Sequence, residues 1–228
     1  MPNPGRARMG RMVGTAVVCA GVLALAACGR DYTATTATPS SGAPVAIEQQ
    51  DAGPYVGVEL QQPIAKPDVT LVDTGGAPFN LARDTAGEVV LVYAGYTNCP
   101  DVCPTTVADL AAALRGLPDA DRERISVVMF STDPGRDTPE RMRAFLDQFD
   151  ASFIGVLGGE AELIGAINEM GIDVQPPTPA ENGDLLVEHG AQVLAFAPPS
   201  DEAALLWTSG TTATEYRQDL QTLLAAAG

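Results

Sequence analysis

Basic residues are scarce in this sequence. Of its 228 residues, 13 are Lys or Arg and 29 are Asp or Glu, which gives a net charge of −16 at pH 7. Without the three arginines of the first 27 residues, ten basic residues remain against 29 acidic ones, a net charge of −19. Such an acidic chain repels phosphate backbones, so we expect no nucleic acid among its partners.

Long hydrophobic runs are also missing, with one short exception near the start. An apolar run over 12–25 follows a basic start, but it is too short to cross a bilayer as a permanent helix. It ends in Leu-Ala-Ala-Cys at 25–28, which resembles the lipobox at which bacterial lipoproteins are cut and lipidated. We therefore predict a signal peptide over 1–27 and lipidation of Cys28, with the protein anchored on the extracytoplasmic face of the cell membrane.

The next segment lacks a periodic apolar pattern. From Gly29 to about Pro54 it is rich in Thr, Ala, Ser and Pro, which is typical of a flexible tether, although a simple disordered leader has the same composition. A coil of ~25 residues would hold a domain roughly 25–30 Å from its anchor, which suits docking on a membrane-embedded partner. We predict a tether over 28–54 and one folded domain over 55–228.

Cysteine is scarce as well. The sequence has four, and only Cys99 and Cys103 remain in the domain once Cys19 leaves with the signal peptide and Cys28 is lipidated. A domain of this length buries a core without covalent staples, and a disulfide that closes so short a loop stabilises little. The pair therefore indicates chemistry, with metal binding and thiol redox chemistry both open at this point.

The rest of the domain alternates between two kinds of pattern. Apolar runs predict strands over 69–72, 79–81, 88–93, 125–130, 153–157, 185–187, 192–197 and 205–208. Apolar residues at helical spacing predict helices over 106–117, 138–149, 161–170 and 214–226. This order, with a hairpin joining 185–187 to 192–197, is typical of an α/β fold of the thioredoxin-like type, a three-layer sandwich with a central mixed sheet, and other three-layer folds share it.

Two prolines define the geometry expected around the cysteines. Pro104 suits the first helical position and keeps Cys103 out of helical dihedrals, so we expect Cys103 to cap the helix, whose positive end would lower the pKa of its thiol. Pro100 holds Cys99 in the loop after strand 88–93, so both sulfurs can face one point. Three residues separate the cysteines, one more than in a Cys-x-x-Cys redox pair, which leaves room for an ion and still permits a disulfide.

Histidine occurs once, at His189. It lies at the predicted hairpin turn, and in a thioredoxin-like order this turn comes near the loop after the first long strand. Two thiolates and one imidazole are ligands that suit copper, with zinc as the ordinary competitor. A structural zinc site usually has four ligands, and no fourth cysteine or histidine is left in the domain.

Two longer motifs carry a specific resemblance. Residues 95–105, Gly-Tyr-Thr-Asn-Cys-Pro-Asp-Val-Cys-Pro-Thr, resemble the signature of the Sco/SenC family of copper chaperones for cytochrome c oxidase. Residues 131–140, Ser-Thr-Asp-Pro-Gly-Arg-Asp-Thr-Pro-Glu, are similar to that family's Asp-Pro loop with its following Arg-Asp-Thr-Pro. The resemblance extends over roughly 69–224 and keeps the two motifs in the family's order.

The resemblance implies a thioredoxin-like fold and a copper ion, Cu(I) or Cu(II), bound by Cys99, Cys103 and His189. It implies that the copper is delivered to the dinuclear copper centre of cytochrome c oxidase subunit II. Because oxidation of the cysteines would empty the site, we also expect an extracytoplasmic thiol reductase among the partners. The Glu-His-Gly at 188–190 departs from the family's usual Asp-His-Ser. No proline precedes the histidine, although thioredoxins have a cis-proline near this place. This departure concerns the shape of the loop and leaves the ligand in place.

Two aspartates lie close to the predicted ligands in the sequence. Asp133, in the second motif, is expected either beside the ligands as a polar neighbour or simply in an Asp-Pro turn after a strand. Asp101, between the cysteines, is expected to tune the local charge without binding the metal.

Three other functions share these residues. A thiol-disulfide reductase acting on the subunit II cysteines would use Cys99 and Cys103 as a redox pair without His189, and no further catalytic residue is predicted. A peroxidase is less consistent, because the strip 102–105 resembles peroxiredoxins but Pro100 replaces their threonine. A purely structural lipoprotein is disfavoured because a domain of this size needs no disulfide.

Overall fold

The computed structural model describes residues 53–175, 178–179, 185–186 and 189–227. The predicted signal peptide, the lipidation site Cys28 and the predicted tether up to residue 52 lie outside these residues. Among the residues described, no helix has the length and apolar character needed to cross a membrane.

The described part of the domain contains ten strands and six helices. The strands are β1 (Val58–Ala65), β2 (Thr70–Asp73), β3 (Pro78–Asn80), β4 (Val89–Gly95), β5 (Ile125–Ser131), β6 (Ile154–Leu157), β7 (Thr178–Pro179), β8 (Leu185–Leu186), β9 (Val193–Ala197) and β10 (Glu202–Trp207). The helices are α1 (Leu81–Asp84), α2 (Val102–Arg115), α3 (Asp119–Arg122), α4 (Pro139–Leu146), α5 (Glu160–Glu169) and α6 (Ala213–Ala226).

Eight strands form one mixed sheet in the order β1-β10-β9-β4-β5-β6-β2-β3. The strands β4, β5 and β6 run parallel, whereas β9 pairs antiparallel with the other side of β4. Every residue of β4 is buried, as expected for a continuous apolar strand that is covered on both faces. The carboxyl ends of β4 and β5 therefore lie side by side, and the two motifs of the sequence follow these ends.

Each face of the sheet has its own apolar core, which produces three layers. Leu91 and Tyr93 of β4 face a cluster that includes buried residues of α2, α4 and α6. Val90 and Val92 face the opposite cluster, which includes buried residues of α5. The alternation along β4 follows from the period of two along a strand. The predicted thioredoxin-like α/β sandwich with a central mixed sheet is confirmed.

Two helices begin at caps that their sequences provide. Thr138 accepts a hydrogen bond from the backbone N–H of Arg141, and Pro139 occupies the first turn of α4. At α6, Thr212 and Glu215 form a reciprocal capping box. The cap of α4 lies inside the second motif. This motif therefore includes the last residue of β5 and the start of α4.

The fold differs from the predictions most clearly in one hairpin and one edge strand, and the short elements α1, α3 and β7 were not predicted either. The hairpin joining 185–187 to 192–197 is wrong: β9 pairs with β4 and β10, and β8 pairs with β7. The reason is the apolar run of β9, which suits a central strand paired on both sides. The edge strand β1 was not predicted, because it is mostly exposed, contains Pro63 and shifts register between Glu59 and Ile64.

Candidate metal centre

Both cysteines lie where β4 passes into α2. Cys99 is half-buried in the connecting loop, and Cys103 is fully buried in the first turn of the helix. Gly95, the last residue of β4, allows the close approach, because a Cβ there would lie 2.6 Å from a ring carbon of Tyr93 and 3.2 Å from Cys103 Sγ. The strand end, the loop and the helix start are thus packed tightly around the sulfurs.

The two thiols are free and in contact. The backbone N–H of Cys103 donates to Cys99 Sγ at 3.4 Å. The helix begins at Val102 with Asp101 in the capping position, so the prediction that Cys103 caps the helix is wrong by two residues. Because Pro104 is tolerated throughout the first turn of a helix, the turn can start earlier and direct Cys103 into the core.

The pKa values of the two thiols are shifted in opposite directions. Burial raises the pKa of Cys103 to about 12 despite the nearby hydroxyl of Tyr93, so the predicted lowering at Cys103 is wrong. At Cys99, partial burial acts to raise the pKa, but hydrogen bonds from Cys103, from the backbone of Asp101 and from Tyr96 outweigh it, and the pKa is lowered. The reactive thiolate therefore belongs to Cys99, whose sulfur receives the amides at the helix start.

His189 lies across a surface hollow from Cys99. Its backbone forms an isolated antiparallel bridge with Val174, and its ring lies edge-on to Tyr96, with 5.8 Å between ring centroids, and to Tyr93, at 6.5 Å. The hollow has a volume of about 480 Å³, and among its lining residues are Cys99, Val102 and His189. The structure thus brings the histidine and the half-buried thiol of Cys99 to one hollow, as expected from the topology.

The ring nitrogen Nδ1 of His189 lies 2.9 Å from the carbonyl oxygen of Gly190. A carbonyl oxygen only accepts, so this hydrogen bond requires the proton on Nδ1, and a neutral ring then keeps its free lone pair on Nε2. Metal-binding histidines usually donate their other N–H in this way.

Within the described ranges, no three His, Cys, Asp or Glu side chains lie close enough together to hold a metal ion. The two sulfurs are in contact, and the imidazole lines the same hollow as Cys99 without closing a three-ligand cluster. Thiolates and imidazole are nevertheless the donor set of a soft or borderline metal, so the residues fit copper in chemistry, and binding by all three donors requires a local rearrangement around the hollow.

The two aspartates have different surroundings. Asp101, which lies between the two cysteines in the sequence, is exposed and lines the hollow. Asp133 is buried and ion-paired with Arg136, and its Oδ1 has no hydrogen-bond partner within the described part of the chain. The carboxylate of Asp133 thus belongs to the polar packing of the second motif.

Sequence reasoning missed the aromatic and polar residues that support the thiols. The hydroxyl groups of Tyr93 and Tyr96 influence the pKa values of Cys103 and Cys99, and both rings pack against His189. Thr97 is held by Asp137 of the second motif. Tyr96 and Thr97 belong to the first motif, and their nearness to Cys99 in the sequence could have identified them. The contact of Thr97 with Asp137 joins residues 40 positions apart, and no local pattern indicates it.

The fold and the site together define a thioredoxin-like domain with a contacting dithiol and a histidine at the carboxyl end of its central strands. Residues 58–225 match the family model described as SCO1/SenC, and the chain belongs to this family.

Individual relatives agree with this assignment. A candidate copper-binding protein of Stutzerimonas stutzeri is 33% identical over 134 residues, which cover 59% of this chain and 65% of the relative. Apo Sco1 of Thermus thermophilus is 31% identical, with a TM-score of 0.66 over 74% of this chain and 96% of that one. ScoI of Bradyrhizobium japonicum with copper bound is 27% identical, with a TM-score of 0.62 over 70% and 99%. The chain spans less than two thirds of the length of the curated relatives that it matches.

Proposed function

We propose that this chain carries copper outside the cytoplasm and takes part in the assembly of cytochrome c oxidase, delivering the ion to the dinuclear copper centre of subunit II. Cys99, Cys103 and His189 bind the copper as cargo. The observation that carries the proposal is a contacting pair of free thiols in a Sco/SenC domain, one of which, Cys99, lines the same hollow as the only histidine of the sequence. The Sco family is described as one of cytochrome c oxidase assembly proteins.

Copper uptake by this pair is coupled to proton release. The lowered pKa of Cys99 makes its thiolate the first ligand, whereas Cys103, with a pKa of about 12, gives up its proton when the metal binds. His189 then adds a neutral imidazole through Nε2, with Nδ1 kept on Gly190. The ion leaves by ligand exchange with thiolates of the acceptor, for which the half-exposed Cys99 provides the accessible side of the site.

The test of the ligand set is metal binding by the reduced protein, with and without His189. We expect one copper per chain in the wild type, and loss of binding when either cysteine is replaced by Ser. His189→Ala is expected to weaken Cu(II) binding by about tenfold or more and Cu(I) binding far less, because thiolates dominate the softer ion. Gln192→Ala is the matched control, since it removes a polar side chain of the same segment, which bonds Gly171. Unchanged Cu(II) spectra in His189→Ala would show that the histidine is no ligand.

The position of the protein on the membrane is part of the same proposal. Lipidation at Cys28 and a tether over 28–54 would hold the domain 55–228 within reach of a membrane-embedded oxidase. Cys28→Ala should move the protein from the membrane fraction to the soluble extracytoplasmic fraction and leave copper binding by the domain unchanged. A Cys28→Ala protein that still pellets with membranes would contradict the anchor.

A thiol-disulfide reductase is the second candidate, and the asymmetry of the thiols favours it. An accessible thiol with a lowered pKa next to a buried thiol with a raised pKa is the arrangement of an attacking and a resolving cysteine. In that reaction Cys99 attacks a substrate disulfide, and Cys103 displaces the mixed disulfide, leaving a Cys99–Cys103 disulfide and a reduced substrate. Full oxidase assembly by His189→Ala, with loss in Cys99→Ser, would favour this function over copper delivery.

A further inference from the structure

The second motif of the sequence lies against the cysteine loop, and its polar side chains take no part in the proposed ligand set. We propose that Asp137 is a positioning residue for the dithiol, which fixes the loop before Cys99 through Thr97 and so controls how closely the two sulfurs are held. This inference deepens the proposed function and rests on it for its consequence for copper, whereas its consequence for the thiols is independent of any metal.

Three hydrogen bonds converge on the carboxylate of Asp137. Its Oδ1 accepts from the backbone N–H of Thr97 at 3.1 Å and from the Thr97 hydroxyl at 2.6 Å. Its Oδ2 accepts from the hydroxyl of Ser131 at 2.6 Å. Ser131 ends β5, and Thr97 lies two residues beyond the end of β4, so one carboxylate joins the ends of two parallel strands.

The carboxylate of Asp137 is buried, so the loss of these hydrogen bonds would leave a buried polar group without partners, which lowers stability. Asp137 is 4% exposed, and burial raises the pKa of its carboxyl, although the hydrogen bonds from Ser131 and Thr97 oppose this. Arg136, its neighbour in the chain, pairs with Asp133 instead. A buried carboxylate held by hydroxyl and amide donors has a fixed orientation, because each oxygen is bound from a different element.

The contact is transmitted to the sulfurs over a few bonds. The backbone N–H of Cys99 donates to the carbonyl of Tyr96 at 3.3 Å, which closes a turn around Thr97. The backbone N–H of Cys103 then donates to Cys99 Sγ. On the opposite side, the backbone N–H of Thr132 donates to the carbonyl of Gly95 at 2.9 Å. Asp137 therefore holds the one turn that lies between the rigid end of β4 and the thiol of Cys99.

Asp137 also stands directly before Thr138, the cap of α4. A purely structural role in starting α4 would lower stability without changing the thiols. The test must therefore measure a property of the dithiol in addition to stability.

The experiment measures the equilibrium between the reduced apo protein and glutathione disulfide, in which the Cys99–Cys103 disulfide forms as glutathione disulfide is reduced to two glutathione molecules. Asp137→Ala is expected to lower the equilibrium constant for oxidation by about fivefold or more, because a released loop lowers the effective concentration of one thiol at the other. Cu(I) affinity, measured by competition, should fall by about tenfold. Asp137→Asn keeps an acceptor for Thr97 and should stay within about threefold of the wild type.

The matched control is Asp219→Ala. Asp219 is another fully buried carboxylate with three donors, the backbone N–H groups of Val56 and Gly57 and the indole N–H of Trp207, each at 2.8 Å. Its loss should lower stability without changing the glutathione equilibrium. Should Asp137→Ala fail to fold, Thr97→Val removes one of the three donors and is expected to give a smaller shift in the same direction.

The outcomes separate the two proposals. A shift in Asp137→Ala and in Thr97→Val, with none in Asp219→Ala, supports the positioning role. An unchanged thiol equilibrium, or an equal shift in the Asp219 control, overturns it. If the wild type binds no copper but its thiol equilibrium still depends on Asp137, the copper proposal fails and the positioning role stands.

Discussion

The two halves of the candidate site are built in different ways. The cysteine half lies in one short stretch between a fully buried strand and a helix, and it is packed against both. The histidine half lies in the long connection between α5 and β9; among the residues described there, His189 forms a backbone bridge with Val174, and the N–H of Gly190 donates to the carbonyl of Asp173 at 2.8 Å. The cysteine half therefore depends on close packing, and the histidine half depends on hydrogen bonds of the connection and on two aromatic contacts. The following predictions test that difference.

The largest effect is expected from Gly95→Ala. The added Cβ would lie 2.6 Å from a carbon of the buried Tyr93 ring, which cannot move aside, so we expect a loss of about 1–3 kcal/mol in the free energy of unfolding. Copper binding should fall with it, because the new methyl also approaches Cys103 Sγ at 3.2 Å. Urea unfolding of the reduced apo protein measures the first effect.

Gly190→Ala is the matched substitution in the histidine half. There the added Cβ would meet the end of the Gln192 side chain at 2.2 Å, which can swing away. The expected loss is below about 0.5 kcal/mol. Equal losses in both variants would show that the histidine half is packed as tightly at Gly190 as the cysteine half is at Gly95.

The second prediction concerns alkaline pH and the buried thiol. Because the pKa of Cys103 is raised from 9.0 to about 12, the folded state binds more protons than the unfolded state between these pH values, and stability falls as pH rises through this window. Cys103→Ala should unfold with a flatter dependence on pH over the same range. The measurement is the unfolding midpoint of the reduced wild type and of the reduced variant as a function of pH. The same pH dependence in both proteins would contradict the raised pKa of Cys103.

The third prediction releases the histidine half alone. Asn168 of α5 accepts from the backbone N–H of Val174 at 2.9 Å, and its amide donates to the carbonyl of Val174 at 3.4 Å. Asn168→Ala should therefore loosen the partner of His189 at a cost of about 1 kcal/mol. We expect Cu(II) affinity to fall by about threefold or more with little change for Cu(I) or for the thiol equilibrium.

Asn168→Asp is the control for this prediction, because it keeps the acceptor for Val174. It should retain most of the Cu(II) affinity. A loss of Cu(I) affinity as large as that of Cu(II) in Asn168→Ala would show that the two halves are not independent.

The same contrast explains what the sequence could predict. The apolar runs of β4, β5 and β9 and the helical spacing in α2, α5 and α6 depend on local periodicity, and they predict the three layers with ends a few residues off. The cysteine loop could be predicted equally well from the sequence, because its residues are adjacent in the chain. The pairing of β9 depends on which distant strand offers the best buried neighbour, and local patterns do not contain that information.

The pKa shifts of the two thiols could not be predicted from the sequence, for a related reason. Pro104 correctly indicated a helix start, but a shift of two residues moves Cys103 from the cap into the core, and burial then outweighs the helix end. The hydrogen bonds of Asp137 to Thr97 join residues 40 positions apart, and their geometry follows from the parallel pairing of β4 and β5.

The smallest effect is expected where the two halves meet, at Tyr96. Its hydroxyl hydrogen-bonds with Cys99, which helps to lower the pKa of that thiol, and its ring lies edge-on to His189. Tyr96→Phe keeps the ring and removes only the hydroxyl, so it should raise the pKa of Cys99 and slow alkylation of Cys99 at neutral pH by about twofold to threefold. Iodoacetamide labelling followed by mass spectrometry reads out each cysteine separately. Cu(II) spectra should stay unchanged, since the contact with the imidazole is preserved; altered spectra would mean that the phenol oxygen, and not the ring, connects the dithiol with the histidine.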